Sequence, residues 1–201
     1  MKLIGLTGGI AMGKSTAANL LVRLGIPVLD TDVVARQLVE PGQPALAEIQ
    51  GAFGADVISS NGGLDRAAIA RKVFSDTLLR QKLEQILHPR IQRVWQDQAD
   101  AWRVEGIAAG VVVIPLLYET NVAARFDAVV CVACSASTQQ SRLLARGWSA
   151  EESSRRLQAQ WPIENKVSLS DFVIWTEGII EILSEQLRRI FIDWCPIERG
   201  V

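Results

Sequence analysis

The chain has 201 residues, 49% hydrophobic and 21% charged, with 21 Lys and Arg set against 22 Asp and Glu. This composition excludes a disordered chain and a protein that coats nucleic acid through bulk positive charge, and the length suits one domain with an inserted lobe. The longest apolar stretch, residues 107–117, is too short to cross a membrane, and the one basic residue before Gly5 makes no signal peptide. Three cysteines argue against a disulfide framework and for a reducing, cytoplasmic compartment.

In chain order, Lys2 to Thr7 is a short apolar run bounded by Gly8 and Gly9, and it predicts a first strand. Ala17, Leu20, Leu21 and Leu24 then fall at i, i+3, i+4 and i+7, predicting a helix from about Lys14 that Gly25 closes. Pro27, Val28 and Leu29 form a second apolar run ending at Asp30. Between about 33 and 105 the pattern is helical. Leu79, Leu83, Ile86 and Leu87 make one stripe and Ile91, Val94, Trp95 and Trp102 another, with Pro89 either separating them or kinking one long helix. The runs 110–114 and 128–132 are Val-rich without polar alternation, as strands covered on both faces are. A last strand is predicted at 172–175, followed by a closing helix with Ile179, Leu183, Leu187, Ile190 and Trp194 on one face. Strands alternating with helices imply an α/β fold with a mainly parallel sheet. Its core is about 1–32, 107–141 and 168–195, with a helical insertion at about 33–106 and an arginine-bearing segment at about 142–167.

Residues 8–15 read Gly-Gly-Ile-Ala-Met-Gly-Lys-Ser, which matches G-x-x-x-x-G-K-[ST] between a buried-type strand and an amphipathic helix. Such a loop wraps a phosphate chain with backbone N–H groups at a helix N-terminus. In that reading Gly9, Ala11, Met12, Gly13, Lys14, Ser15 and Thr16 bind ATP. Lys14 reaches the terminal phosphates, and the Ser15 hydroxyl ligates Mg2+. The motif alone does not separate a kinase from a GTPase or a motor-type ATPase. No Asn-Lys-x-Asp element follows, and the 110–114 strand ends in Pro115 rather than an acid, which favours a small-molecule kinase.

Asp30 and Asp32 follow the second strand, at the sheet edge where parallel sheets place ligands. Either one accepts a proton from an attacking hydroxyl or orders water around Mg2+, or it caps the next helix. Arg142 and Arg146 are four apart on a predicted helix, and Ser149 with Glu152 reads as a capping box starting another. These arginines, with Arg155 and Arg156, are either a lid brought over transferred phosphate or a solvated face paired with Glu151 and Glu152. Cys131 and Cys134 have C-x-x-C spacing, but along a strand they point to opposite faces and read as small core residues. The six tryptophans read as core and groove walls rather than a nucleic-acid stacking stripe.

Across almost its whole length the chain resembles the dephospho-CoA kinase family. The resemblance rests on the loop opening Ile4 to Ile10, Asp30-Thr31-Asp32 with Ala35-Arg36, His88-Pro89, and Pro115-Leu116-Leu117-Tyr118-Glu119. It continues through Gln140, Arg142, Leu143 and Arg146, then Arg155 and Gln158, then Asp171 to Ile174. It implies a three-layer P-loop NTPase-type fold with a helical substrate-binding insertion and a lid. The implied reaction passes the ATP γ-phosphoryl to the ribose 3′-hydroxyl of dephospho-CoA, with Mg2+ as cofactor and no nucleic-acid, membrane or obligatory protein partner. It also implies catalytic roles for Lys14, Asp32 and Arg142, ATP contact by Arg146, and acceptor contact by Asp32, Arg36, His88, Leu117 and Glu119. A kinase of another nucleoside or nucleotide, and a nucleotide-dependent switch, are the competing readings.

Two positions depart from the family pattern. Ala11-Met12 stands where the family has Gly-Ser, which requires an alanine to take whatever φ the loop demands, at about 1 kcal/mol or more if φ is positive. Trp175-Thr176-Glu177 stands where the family has Asp-Asn near adenine, leaving either stacking on Trp175 or a lost contact. Charge is also uneven: 65–103 carries eight basic against five acidic residues and 142–166 five against three, whereas 171–201 carries three against six.

Overall fold

A computed structural model describes residues 1–194, so Cys195 and the end of the predicted core segment lie outside the described residues. The chain forms two compact units, one from Met1–Leu29 with the chain from Ala101 onward, the other Asp30–Asp100. Five strands, β1 (Lys2–Gly8), β2 (Val28–Asp30), β3 (Ala109–Val113), β4 (Ala128–Ala133) and β5 (Phe172–Trp175), form one sheet in the order β2-β3-β1-β4-β5. The pairs β1–β3, β1–β4 and β4–β5 are parallel, with Ile4 opposite both Val111 and Ala128. Register is pinned by side chains as well as by the ladder. Asp127 accepts the Leu3 N–H at 2.7 Å, and Asp171 accepts the Val129 N–H at 2.8 Å.

The helices in chain order are α1 (Lys14–Arg23), α2 (Thr31–Gln37), α3 (Pro44–Phe53), α4 (Arg66–Ser75) and α5 (Thr77–Val104), then α6 (Ala136–Ala145), α7 (Ala150–Gln158), α8 (Ile163–Leu169) and α9 (Ile180–Trp194). In the first unit, alternation along the strands sends Ile4, Leu6, Val111, Val113, Val130, Val132 and Ile174 to one face. There they pack with Leu20 and Leu21 of α1 and Leu183, Leu187 and Phe191 of α9. On the other face, Ile163 and Val167 of α8 pack near Met12, Ala133 and Cys134. Leu117 and Phe126 crowd Gly5, where a Cβ would sit 2.6 Å from the Leu117 side chain. The result is a three-layer α/β unit.

The closing helix differs from its predicted face in one respect. Ile179 precedes the first helical residue and is 63% exposed, whereas Phe191, at 1%, fills the core position one turn beyond Leu187. The side chain of Trp194 lies outside what is described.

The Asp30–Asp100 unit is helical, as the absence of strand signals predicts, apart from a single antiparallel bridge between Ile58 and Leu64. Its core gathers Leu46, Ile49 and Phe53 of α3, Ile69 of α4 and Ile86 of α5. Pro89 does not divide α5, which is assigned as one helix through it. Among the described residues no helix is long and apolar enough to cross a membrane.

Candidate active site

Between the end of β1 and the start of α1 the chain must turn sharply, and three residues take positive φ: Gly8 (145°), Ala11 (59°) and Gly13 (95°). A side chain at Gly8 would collide with the Val132 carbonyl on β4, so only glycine allows that approach. Ala11 does adopt the left-handed conformation, which costs a residue with a Cβ about 1–2 kcal/mol. Its surroundings hold it there. The Met12 side chain is 2% exposed and buried beside Ala133 and Cys134, and the Met12 N–H bonds to the Gly9 carbonyl at 3.3 Å. The Met12 thioether is therefore packed into the core and is no part of the loop's exposed surface.

Two glutamines clamp the loop at Ile10. Gln139 of α6 donates to its carbonyl at 2.8 Å, and Gln160, just past α7, accepts its N–H at 3.1 Å. Lys14 Nζ donates to the carbonyls of Gly8 and Gly9 at 2.9 and 2.8 Å, which lays the ammonium along the loop. Gly13 caps α1 without a side-chain hydrogen bond, and no acidic residue occupies the first turn. The positive end of the helix thus faces the loop unneutralised, with Ser15 and Thr16 exposed on that turn.

Arg142 of α6 is fixed to the same loop. Its guanidinium donates to Thr176 Oγ1 at 2.8 Å, to the Thr176 carbonyl, and at 3.4 Å to the Ala11 carbonyl, while the Thr176 hydroxyl donates to the Met12 carbonyl at 2.9 Å. Arg142 lies in the last turn of α6 and Arg146 is its C-cap residue, four positions on. They line a cavity of about 410 Å³ together with Thr16, Thr176, Gly178 and Ile179. Arg156 goes the other way: it pairs with Glu152 at 2.9 Å and stacks over Trp148. Half of the predicted capping box is present: Ser149 Oγ accepts the Glu152 N–H at 3.1 Å, while the Glu152 carboxylate turns to Arg156. Trp175 is half-exposed and lines a different cavity, bordered by Gln160 and Trp161.

In the sequence Thr176 stands out only as a departure from the family pattern, yet its hydroxyl joins Arg142 to the loop. Thr176→Val keeps the shape and removes the hydroxyl, leaving the Met12 carbonyl without that donor. Unfolding free energy is expected to fall by about 1–3 kcal/mol in thermal denaturation, and KM for ATP to rise several-fold.

The Pro115 to Glu119 segment is held from below. Lys166 of α8, 0% exposed, donates to the Pro115 carbonyl at 2.8 Å and pairs with Glu119 at 2.7 Å. Glu119 Oε1 also accepts the Trp161 N–H at 2.9 Å, and Trp161 stacks on Tyr118 with ring centroids 6.3 Å apart. Glu119 Oε2 is buried with no partner among the described residues. Leu117 is fully buried over Gly5. Lys166 was not singled out in sequence; its only signal was its place beside Ile163 and Val167 on a short amphipathic helix.

In the helical unit, Asp30 caps α2 by accepting the Asp32 N–H at 2.8 Å. Capping thus falls to Asp30, and Asp32 stands exposed in the first turn, one helical turn before Arg36. His88 is half-buried midway along α5. Cys131 and Cys134 are free and buried, as expected; burial pushes the Cys131 thiol up to about 11, so it is not a nucleophile at neutral pH. Among the described residues no His, Cys, Asp and Glu cluster could hold a metal ion by itself.

A glycine loop joining β1 to α1, a lysine laid along it, and an arginine-lined cavity beside it on a sheet of this order define a P-loop phosphotransferase. The dephospho-CoA kinase family model matches residues 2–181. The dephospho-CoA kinase of Anaeromyxobacter dehalogenans is 43% identical over 194 residues, covering 96% of this chain and 92% of that one. A solved structure from Thermus thermophilus superposes with a TM-score of 0.82 at 33% identity, covering 96% of this chain and 97% of that one. The dephospho-CoA kinase of Campylobacter jejuni, at 22% identity, shares the fold with a TM-score of 0.72 and coverage of 96% of each chain. The chain belongs to the dephospho-CoA kinase family, ATP-dependent kinases that phosphorylate an alcohol group in the last step of coenzyme A biosynthesis.

Proposed function

We propose that this chain passes the γ-phosphoryl of ATP to the ribose 3′-hydroxyl of dephospho-CoA, with the residue roles that follow. The observation that carries this reading is the loop itself, with Lys14 along its carbonyls and Arg142 tied to it through Thr176. Backbone N–H groups of residues 9–16 and the N-terminus of α1 hold the phosphates. Arg142 and Arg146 neutralise charge on the transferring group, and the cavity they line takes the adenine end of ATP. Asp32 accepts the proton of the attacking 3′-hydroxyl. Arg36 and His88 bind the acceptor, and the Leu117 to Glu119 segment shapes its site from a fixed backbone. The helical unit is the acceptor-binding insertion and residues 142–167 the lid. The reaction takes place in the cytoplasm.

Kinases of this fold work with Mg2+ and ATP. The residues present fit that ion: Ser15 offers an exposed hard oxygen on the first turn of α1, and phosphates held at the loop would carry other ligands. When bound, the ion neutralises charge on the phosphates. Ser15 would be its protein ligand.

A coupled ADP-release assay tests the reading. ADP release should depend on dephospho-CoA and saturate with it. Turnover with nucleoside monophosphates instead would favour a nucleotide kinase, and slow hydrolysis that no small acceptor stimulates would favour a switch protein.

A further inference from the structure

The helical unit contains a second polar cavity, of about 210 Å³, walled by Arg36 from α2 and Arg66 from the first turn of α4. The rest of its wall includes Glu40, Ser59, Asn61 and Gly63. Arg36 and Arg66 are both exposed, and neither forms an ion pair or hydrogen bond with any described residue. Arg90 and Arg156, by contrast, pair with carboxylates, and Lys72 pairs with Asp56. Glu40 is one turn beyond Arg36 and forms no ion pair with it, so the wall carries two cations against one anion.

The wall between the arginines is stiff. Residues 58–64 close a small hairpin in which Ser59 N–H bonds to the Gly63 carbonyl at 2.8 Å, Ser59 Oγ donates to that carbonyl at 2.8 Å, and Asn61 accepts the Gly63 N–H at 3.1 Å. Arg66 follows immediately, its helix start fixed by Asp65, which accepts the Ala67 and Ala68 N–H groups. Two guanidinium groups on one cavity, outnumbering its single carboxylate, are suited to an anion with oxygens on more than one phosphorus.

We propose that Arg66, with Arg36, binds the diphosphate bridge of the acceptor. The inference rests on the dephospho-CoA reading and deepens it. Asp32 and Arg36 lie four apart on α2, about 6 Å along one face. In dephospho-CoA the reacting 3′-hydroxyl and the first phosphate of the bridge sit on opposite sides of one ribose, a comparable span. A carboxylate at one end of that face and an arginine at the other match the two ends of that sugar. Arg66 then supplies the second phosphate's partner, and so distinguishes a diphosphate-bearing acceptor from a bare nucleoside.

The test compares dephospho-CoA with adenosine, which has the same ribose 3′-hydroxyl and lacks the diphosphate. Both are titrated onto the full chain for Kd and both are assayed as acceptors. In Arg66→Ala, Kd and KM for dephospho-CoA should rise at least tenfold with kcat changed less than twofold. The ratio of dephospho-CoA to adenosine affinity should fall by a similar factor, and Arg66→Lys should restore part of it. A thermal melt matching the parent's separates this from misfolding. Equal losses for both acceptors, or no loss for either, would overturn the role of Arg66. If the parent chain neither binds nor phosphorylates dephospho-CoA, the functional reading fails instead, a result visible before any variant is made.

Discussion

Lys14→Ala is expected to lower kcat by about a thousandfold or more. Phosphoryl transfer involves little covalent chemistry for the protein to perform, so positioned charge carries most of the rate. Removing one preorganised donor to a developing negative charge typically costs 10²–10³ in kcat, and an ammonium at the terminal phosphates, the role proposed for Lys14, lies at or above the top of that range. Lys14 also ties together the carbonyls of Gly8 and Gly9, so the alanine variant loosens the cradle as it removes the charge. Lys14→Arg should not rescue it, because a planar fork cannot follow the path of a slim ammonium stem along the loop. Single-turnover ADP formation checks both variants. A near-normal rate in Lys14→Ala would remove the lysine from the mechanism.

The next largest effect is expected at Asp32. In the proposed role of proton acceptor, Asp32 replaced by asparagine should lower kcat by about 10²-fold while KM for ATP stays near the parent's. The neighbouring carboxylate makes a useful contrast. Asp30 caps α2, so Asp30→Ala should appear as about 1 kcal/mol of lost stability in denaturant unfolding. If Asp32→Asn retained normal kcat while losing stability, the two aspartates would have to exchange roles.

The sheet and the phosphate loop were legible because their signals are local. Apolar runs bounded by glycine, a helical repeat after Lys14, and Val-rich strands without alternation each declare themselves within about ten residues. The parts that hold the loop were not legible. Thr176 bonds to Met12 across 164 positions, Gln160 to Ile10 across 150, Gln139 to Ile10 across 129, and Lys166 to Pro115 across 51. A polar residue carries no mark of such a partner until the chain has folded. The two aspartates show the same limit at short range, since the turn at Asp30 chooses which carboxylate faces the α2 amides. Ile179 and Phe191 show that a helical face read from sequence holds only once the first helical residue is known.

The buried pair of Lys166 and Glu119 has an evolutionary consequence. Removing either partner alone strands a charge in the interior, a change that costs about 3–5 kcal/mol, whereas exchanging both for well-packed apolar groups is often neutral or better. The two positions, 47 apart in sequence and 2.7 Å apart at their charged atoms, therefore drift together or not at all. In a population of related chains they would behave as one inherited character. An engineer replacing Glu119 would have to edit α8 in the same step.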